Sequence, residues 1–301
     1  MNKPIGVALG LAIDLAVGEP KVEPHPVAAF GTAMKNVENR IWANNRNRGI
    51  AHLVVGGSIA AGVARVFPHT WVATYIASAP RGLIDAARRV EQALLINDLD
   101  EARRLLPWLV GRDPTHLDES EIARAVIESL AESTVDAIIA PAFWGLIGGA
   151  SGALVHRAVN TLDSMVGHHS ERYEHFGWAS ARLDDVMAYV PARIGALLVC
   201  VHFPDRAQEI WRITRRDAPG HPSPNAGVIE SAFAAALHLQ LGGSNTYEGD
   251  IEDRAKMGEG RRPQHTDINE AIVLVRKITQ TIIGFCAILG VLLTILHRRR
   301  R

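Results

Sequence analysis

Residues 278–297 read ITQTIIGFCAILGVLLTILH, a run without Asp, Glu, Lys or Arg that ends against Arg298 to Arg301. A hydrocarbon core about 30 Å thick takes roughly 20 apolar residues in helical form, so the run predicts a membrane-spanning helix. Residues 137–155 are likewise uncharged. LVVGGSIAAGVA at 53–64 and TWVATYIASAP at 70–80 add apolar sequence rich in the small residues that let helices approach closely. Two further apolar runs are interrupted, 4–17 by Asp14 and 188–203 by Pro191 and Arg193. Polar segments, chiefly 81–136, 156–187 and 204–277, carry turn and cap signals and read as structured. The expectation is an all-α, polytopic integral membrane protein with helical polar segments between its apolar helices, forming a single domain over 1–301.

Formal net charge is zero, 48% of the chain is hydrophobic and the basic residues are dispersed, which excludes the basic stripe of a nucleic-acid binder. Cys200 and Cys286 lie in apolar runs with no metal-binding spacing and read as inert thiols. The first residues resemble a signal peptide, but Asp14 interrupts the run and no small-residue cleavage site follows, so they read as retained. Topology poses a conflict. If 137–155 and 188–203 each crossed once, the loop between them would face the side opposite the other polar segments. Pro141 and GGASG at 148–152 resolve it if the first run is broken or re-entrant, which is tolerated where the break is buried in protein or lines a cavity.

Three carboxylates, Glu128, Glu132 and Asp136, stand four residues apart at the edge of the uncharged run. Like charges at that spacing repel. Either solvent relieves them on an outer face, or they serve as hard oxygen ligands of the kind magnesium takes together with waters and substrate phosphates. Asp118 and Glu121 upstream read as a capping box. In RAVNTLDSMVG, Asn160, Asp163, Ser164 and Gly167 form a polar face on an apolar helix. It is either a helix–helix hydrogen-bond seam or a ligand site, and an acid there is costly to leave unpaired. His168 and His169 read as loop residues. Arg182 and Asp185 read as an intrahelical pair, leaving Asp184 on another face.

In GHPSPNAGVIESAFAAALHLQLGG, Ser223 predicts a cap, Pro224 the first helical position and Gly242 the end of the helix. Such a helix start offers an anion site with His221 and Asn225 alongside, although capping alone explains the same pattern. LGGSNTYEGD and MGEGRRPQHTDINEA read as polar loops, the second leading to a helix capped by Asp267 with Glu270 three residues on. Arg261 and Arg262 there are either phosphate ligands or solvated.

Taken together and in order, DLAVGEP with HPVAAFG, GRDPTHLDESEIARAVIESLAESTVDAIIAP, RAVNTLDSMVGHHSERYEHFGWASARLDDVMAYVPAR, HPSPNAG and LGGSNTYEG resemble the CobD/CbiB family of membrane adenosylcobinamide-phosphate synthases. Ser133, where the family usually has Asn, and APG before His221 depart from its pattern. The resemblance implies an inner-membrane, multi-pass, ATP-dependent ligase with Mg²⁺ that joins a corrinoid, adenosylcobyric acid, to (R)-1-amino-2-propanol or its O-phosphate. It also leaves room for contact with other membrane enzymes of cobamide assembly. It implies Glu128, Glu132, Asp136, Asp163 and Arg172 as catalytic residues, the first three also as metal ligands. Asn160, Ser164, His221, Ser223, Asn225 and Gly227 would bind substrate or phosphate. Two other classes share such helices: a non-catalytic sensor of the AmpE type and a transporter, the latter expected to show internal repeats that are not evident here.

Overall fold

Asn2 opens the chain by accepting the Ile5 amide at 3.1 Å, with Pro4 in the first turn where a missing N–H costs nothing. From this cap runs α1 (Lys3–Val17), followed by α2 (Pro26–Ile41), α3 (Arg46–Val66), α4 (Thr70–Ala77), α5 (Pro80–Leu95), α6 (Leu99–Leu105) and α7 (Glu119–Thr134). A π turn at Val135–Ile139 leads into α8 (Ala140–Val166), then α9 (Trp178–His202), α10 (Ala207–Asp217) and α11 (Ala226–Ala236). The hairpin β1 (Leu241–Tyr247) and β2 (Asp250–Met257) precedes the long α12 (His265–Arg299). The computed structural model describes residues 1–168, 170–247 and 250–299, with the side chains at 244–247 and 250–254 outside the description.

Among the described residues four helical runs are long and apolar enough to cross a membrane: Arg46–Val66, Glu119–Val166, Trp178–His202 and His265–Arg299. The predicted all-α membrane class holds, and the 278–297 run lies wholly within α12. Its Phe285, Ile288 and Leu296 are more than half exposed, apolar side chains suited to lipid rather than water.

The chain divides into two compact units, residues 1–79, 136–188 and 281–301 in the first, and residues 80–135 and 189–280 in the second. In the first, α1 packs on α4, and α8 packs on α1 through α4. Gly10 permits the α1–α4 contact, because a Cβ there would lie 2.6 Å from the Trp71 carbonyl oxygen. In the second, α7 packs against α5 and α11, and α10 against α11.

The expected break in the uncharged run is present. Gly149 has φ 63° and ψ −140°, far from helical values, and Lys3 donates to the Ile147 carbonyl at 2.7 Å beside it. Residues eight apart in a straight helix are separated by about 12 Å. Here a Cβ on Gly152 would overlap the Trp144 carbonyl, and one on Gly145 would lie 3.8 Å from the Ala153 Cβ. The chain therefore doubles back at Gly149, and α8 is two helical arms rather than one crossing.

Several boundaries differ from expectation. The capping box forms as read, with Glu121 N donating to Asp118 and Asp118 N to Glu121, each at 2.8 Å. The helix expected to run from Pro224 to Gly242 is shorter, Ala226–Ala236, because His238 turns the chain at φ 55° and residues 241–247 pair as a strand. LGGSNTYEGD is thus half of an antiparallel hairpin instead of a loop, with residues 248 and 249 outside the described residues. Asp267 does not precede its helix. It lies in the first turn and reaches back to accept the Gln264 amide at 2.7 Å, while Arg261 clamps its carboxylate at 2.7 and 2.8 Å. His168 is a loop residue, as read, and His169 lies outside the described residues.

Candidate functional site

The polar face on α8 meets the π turn inside the first unit. A π turn widens the helix and re-aims the side chains it carries, and Asp136 sits in this one. Asn160, nearly fully buried, donates from Nδ2 to Asp136 Oδ2 at 3.1 Å and receives the Arg157 guanidinium at 3.4 Å. Asp184, on α9, also hydrogen-bonds Asn160 and lies close to Asp136 and Asp163. Its Oδ1 is buried without a hydrogen-bond partner. Three carboxylates from three segments therefore gather about one amide.

Asp163 is held against Gly167, the end of the predicted polar face, where a Cβ would overlap its carboxylate. Ser164, the fourth member of that face, is exposed and returns its hydroxyl to the Asn160 carbonyl at 3.0 Å. On the far side, Glu19 and Asp136 both act on Arg157. Burial, and then Asp14 and Glu19, push the Tyr75 phenol above its ordinary range.

Arg172 belongs to a second cluster in the same unit. It donates to Glu38 at 3.0 Å and lies over the Trp42 ring at 4.5 Å. Tyr173 OH donates to the same Glu38 oxygen at 2.9 Å, and Lys35 to the other at 2.9 Å. Burial opposes ionisation of Glu38, but these three hydrogen bonds outweigh it and hold the carboxyl below its usual range. Residues 170–177 are pinned by this cluster and by Phe176, which is fully buried against the His52 ring.

The acid row divides between the two units. Glu128 is buried in the second, 2.5 Å from Arg112 and 3.5 Å from Arg124, and accepts the Gly242 amide at 2.8 Å, while Arg124 donates to the Gly242 carbonyl. Arg112 and the Gly242 amide each hydrogen-bond one of its oxygens with Arg124 3.5 Å away, so this site is a structural clamp that fixes β1 to α7. Glu132 is exposed. Among the described residues no three His, Cys, Asp or Glu side chains converge as a metal cage requires. Magnesium bound by one or two carboxylates, with waters and substrate phosphates, needs no such cage. The hard oxygens of Asp136, Asp163 and Asp184, one of them orphaned, fit that kind of attachment and Glu128 does not.

The 221–227 turn lies in the second unit. Ser223 Oγ caps α11 as read, accepting from Asn225 N at 3.2 Å and Ala226 N at 3.1 Å. His221 Nδ1 lies 3.0 Å from the Ser223 amide nitrogen and 3.2 Å from the Ser223 carbonyl oxygen, with Nε2 3.7 Å from the buried Glu230. Gly227 is needed for closeness, since a Cβ would lie 2.5 Å from that of His221. Arg193 donates to Asn225 Oδ1 at 2.8 Å and to the Pro224 carbonyl at 3.1 Å. The helix-start amides are thus already engaged, and the cation beside them is Arg193.

Sequence reasoning passed over Arg157, Asp184, Glu19 and Tyr75. Signals existed for two of them. Arg157 is the lone Lys or Arg between 137 and 166, and an isolated cation in an apolar run marks a functional position by default. Asp184 was the acid left over once Arg182 and Asp185 were paired.

A model of the CobD/Cbib protein family matches residues 7–275. The cobalamin biosynthesis protein CobD of Mycobacterium tuberculosis is 40% identical over 99% of this chain and 97% of its own length. Those of Halalkalibacterium halodurans, 40% identical over 96% of both chains, and Geobacter metallireducens, 41% identical over 85% of this chain and 87% of its own, carry the same description. No solved structure matches. A family match over most of the length, with relatives at this identity, places the chain in the CobD/CbiB family of cobalamin biosynthesis.

Proposed function

We propose that the protein is an ATP-dependent amide ligase that joins the free propionate carboxyl of adenosylcobyric acid to (R)-1-amino-2-propanol or its O-phosphate, as a multi-pass protein of the inner membrane. The observation that carries this reading is the gathering of Asp136, Asp163 and Asp184 about Asn160, next to Arg157, in a unit built of apolar helices. Forming an amide from a carboxylate and an ammonium requires that one oxygen of the acid be made a leaving group and that the amine lose a proton. The carboxylate oxygen attacks the γ-phosphorus of ATP and ADP departs. The deprotonated amine then attacks the acyl carbon and phosphate leaves.

A carboxylate cluster suits the amine half of this reaction, since it attracts the ammonium and supplies a base for its proton. Asp184, with an oxygen that lacks a hydrogen bond, is the best placed base. Mg²⁺, held by Asp136 or Asp163 together with nucleotide phosphates, neutralises phosphoryl charge when bound. Asn160 keeps Asp136 oriented. Ser164 is exposed next to this centre, while Arg172, His221, Ser223, Asn225 and Gly227 act in this reading by fixing the loops that carry them, with Arg193 the added cation at the 221–227 turn. Glu132 remains a candidate ligand on an exposed surface.

The test is direct. Purified protein in detergent, given adenosylcobyric acid, the amine or its phosphate, and MgATP, is expected to form the amide with stoichiometric release of ADP, followed by chromatography of the corrinoid. ATP-independent behaviour, or no amide with either amine, removes the ligase reading and favours a sensor or a transporter.

A further inference from the structure

Arg157 stands one helical turn before Asn160 on α8, and residues three apart share a helix face. Its Nη1 donates to Asn160 Oδ1 at 3.4 Å, while Asn160 Nδ2 donates to Asp136 Oδ2 at 3.1 Å. Asp184 hydrogen-bonds the same side chain. The Arg157 Nε is buried without a hydrogen-bond partner, and the guanidinium is attracted by Asp136 and also by Glu19. A cation therefore lies at the oxygen end of the Asn160 amide and a carboxylate at its nitrogen end.

We infer that Arg157 is a positioning residue: it holds the Asn160 side chain by its oxygen, and Asn160 so held keeps Asp136 at a fixed place in the carboxylate cluster. This rests on the amide-ligase reading, in which those carboxylates serve magnesium and the ammonium. An asparagine amide has one accepting end and one donating end. Tied only to carboxylates, it would be anchored at its nitrogen alone; the guanidinium anchors the other end and fixes the direction in which the nitrogen points. A neutral donor would also bond that oxygen, and a buried guanidinium is costly unless it is compensated. The charge has its own use, because it attracts Asp136 where Asp136, Asp163 and Asp184 repel one another. Reacting groups tolerate little displacement, since a misplacement of about 1 Å can cost about a hundredfold in rate. Arg157 itself meets neither substrate in this assignment, so its loss reaches the chemistry by way of the groups it holds.

The test is a double-variant cycle. Full-length protein in detergent is assayed for ligation and for thermal unfolding as wild type, as Arg157→Gln, as Asn160→Leu, which keeps the volume without donor or acceptor, and as the double variant. A residue that orders the reacting groups without meeting substrate lowers kcat and leaves KM alone. Arg157→Gln is therefore expected to lose about tenfold or more in kcat, with KM for the corrinoid acid and for the amine unchanged. Because the two side chains form one unit, the double variant should lose far less than the product of the two single losses. If Arg157→Gln does not fold, Arg157→Lys, which keeps a charge and a donor, takes its place with a smaller loss and the same lack of additivity. Losses that multiply overturn the inference. So does wild-type kcat in a folded Arg157→Gln, or a raised KM for the acid with kcat unchanged, the sign of a group that binds substrate directly. Wild type that makes no amide removes the ligase reading instead, and the melting temperatures of the same proteins then decide the coupling. Shifts that add overturn it, and a double variant no less stable than the weaker single variant upholds the chain from Arg157 through Asn160 to Asp136.

Discussion

Asn160 on α8 donates its side-chain amide to Asp136 Oδ2 at 3.1 Å, tying the second arm of a folded-back helix to the π turn that precedes the first. The bond fixes one oxygen of the Asp136 carboxylate. Asp184 shares the same amide, so Asn160 sets the spacing of two acids at once.

Asp136→Asn keeps the volume and removes the charge. Loss of a positioned acid or base costs about 10²–10⁴ in rate, so amide formation is expected to fall at least about a hundredfold while the melting temperature moves little. Asp184→Asn should behave alike. Steady-state ligation and thermal unfolding on the same preparations check this, and wild-type turnover in both variants would remove the cluster from the chemistry.

Gly149 is where the uncharged run turns back, and its φ of 63° with ψ of −140° lies in a region open almost solely to glycine. Forcing a side chain into such a conformation costs on the order of 1–3 kcal/mol. Crowding adds little, since the nearest atom, Thr70 Oγ1, would be 3.4 Å from the new Cβ. Gly149→Ala is therefore expected to lower the melting temperature without abolishing expression, whereas Gly148→Ala, which meets nothing within 4 Å, should be close to neutral.

The apolar runs, the capping box and the broken segment were legible because each follows from local rules: hydropathy over about 20 residues, a side chain reaching back three positions, and glycines placed within an apolar run. The division of the acid row was not. Glu128 and Asp136 are eight residues apart on one helical path, and nothing local says that Arg112 and Arg124 claim the first while Asn160 and Arg157 claim the second. Spacing fixes which face a residue shares and leaves open what stands opposite it. The hairpin at 241–257 was missed for a related reason: its first strand, LGGSNTY, is polar and glycine-rich, and is positioned by Arg124 and Glu128 on the Gly242 backbone instead of by an alternating apolar pattern.

Glu38 predicts a pH dependence. Its side chain is fully buried, and hydrogen bonds from Lys35, Arg172 and Tyr173 hold its folded pKa below the unfolded value despite the opposing effect of burial. A depressed carboxyl contributes stability that is fully present above the unfolded pKa, about 4.3, and is lost as pH falls through the lower folded value. Wild-type protein should therefore lose stability on acidification below about pH 4.3 more steeply than Glu38→Gln, which lacks this contribution. Melting temperatures of the two from neutral pH downward should converge in acid, and parallel curves would show that the loop is held by other contacts.

Glu128 separates a structural acid from a reacting one. With side chains only 5% and 3% exposed, Glu128 and Arg112 form a pair sealed from solvent. Removing one member of a buried pair costs about 3–5 kcal/mol, because the other charge is left uncompensated. Glu128→Ala is expected to lower yield and melting temperature sharply, since it removes the carboxylate of the sealed pair and the acceptor of the Gly242 amide together. Glu128→Gln keeps an acceptor for that amide and should be milder. Arg112→Met, which removes the guanidinium and leaves Arg124 3.5 Å from Glu128, should fall between them. In each case the protein that remains folded should ligate at close to the wild-type rate with an unchanged requirement for magnesium. A folded Glu128→Gln with a raised magnesium requirement would instead restore Glu128 to the metal site.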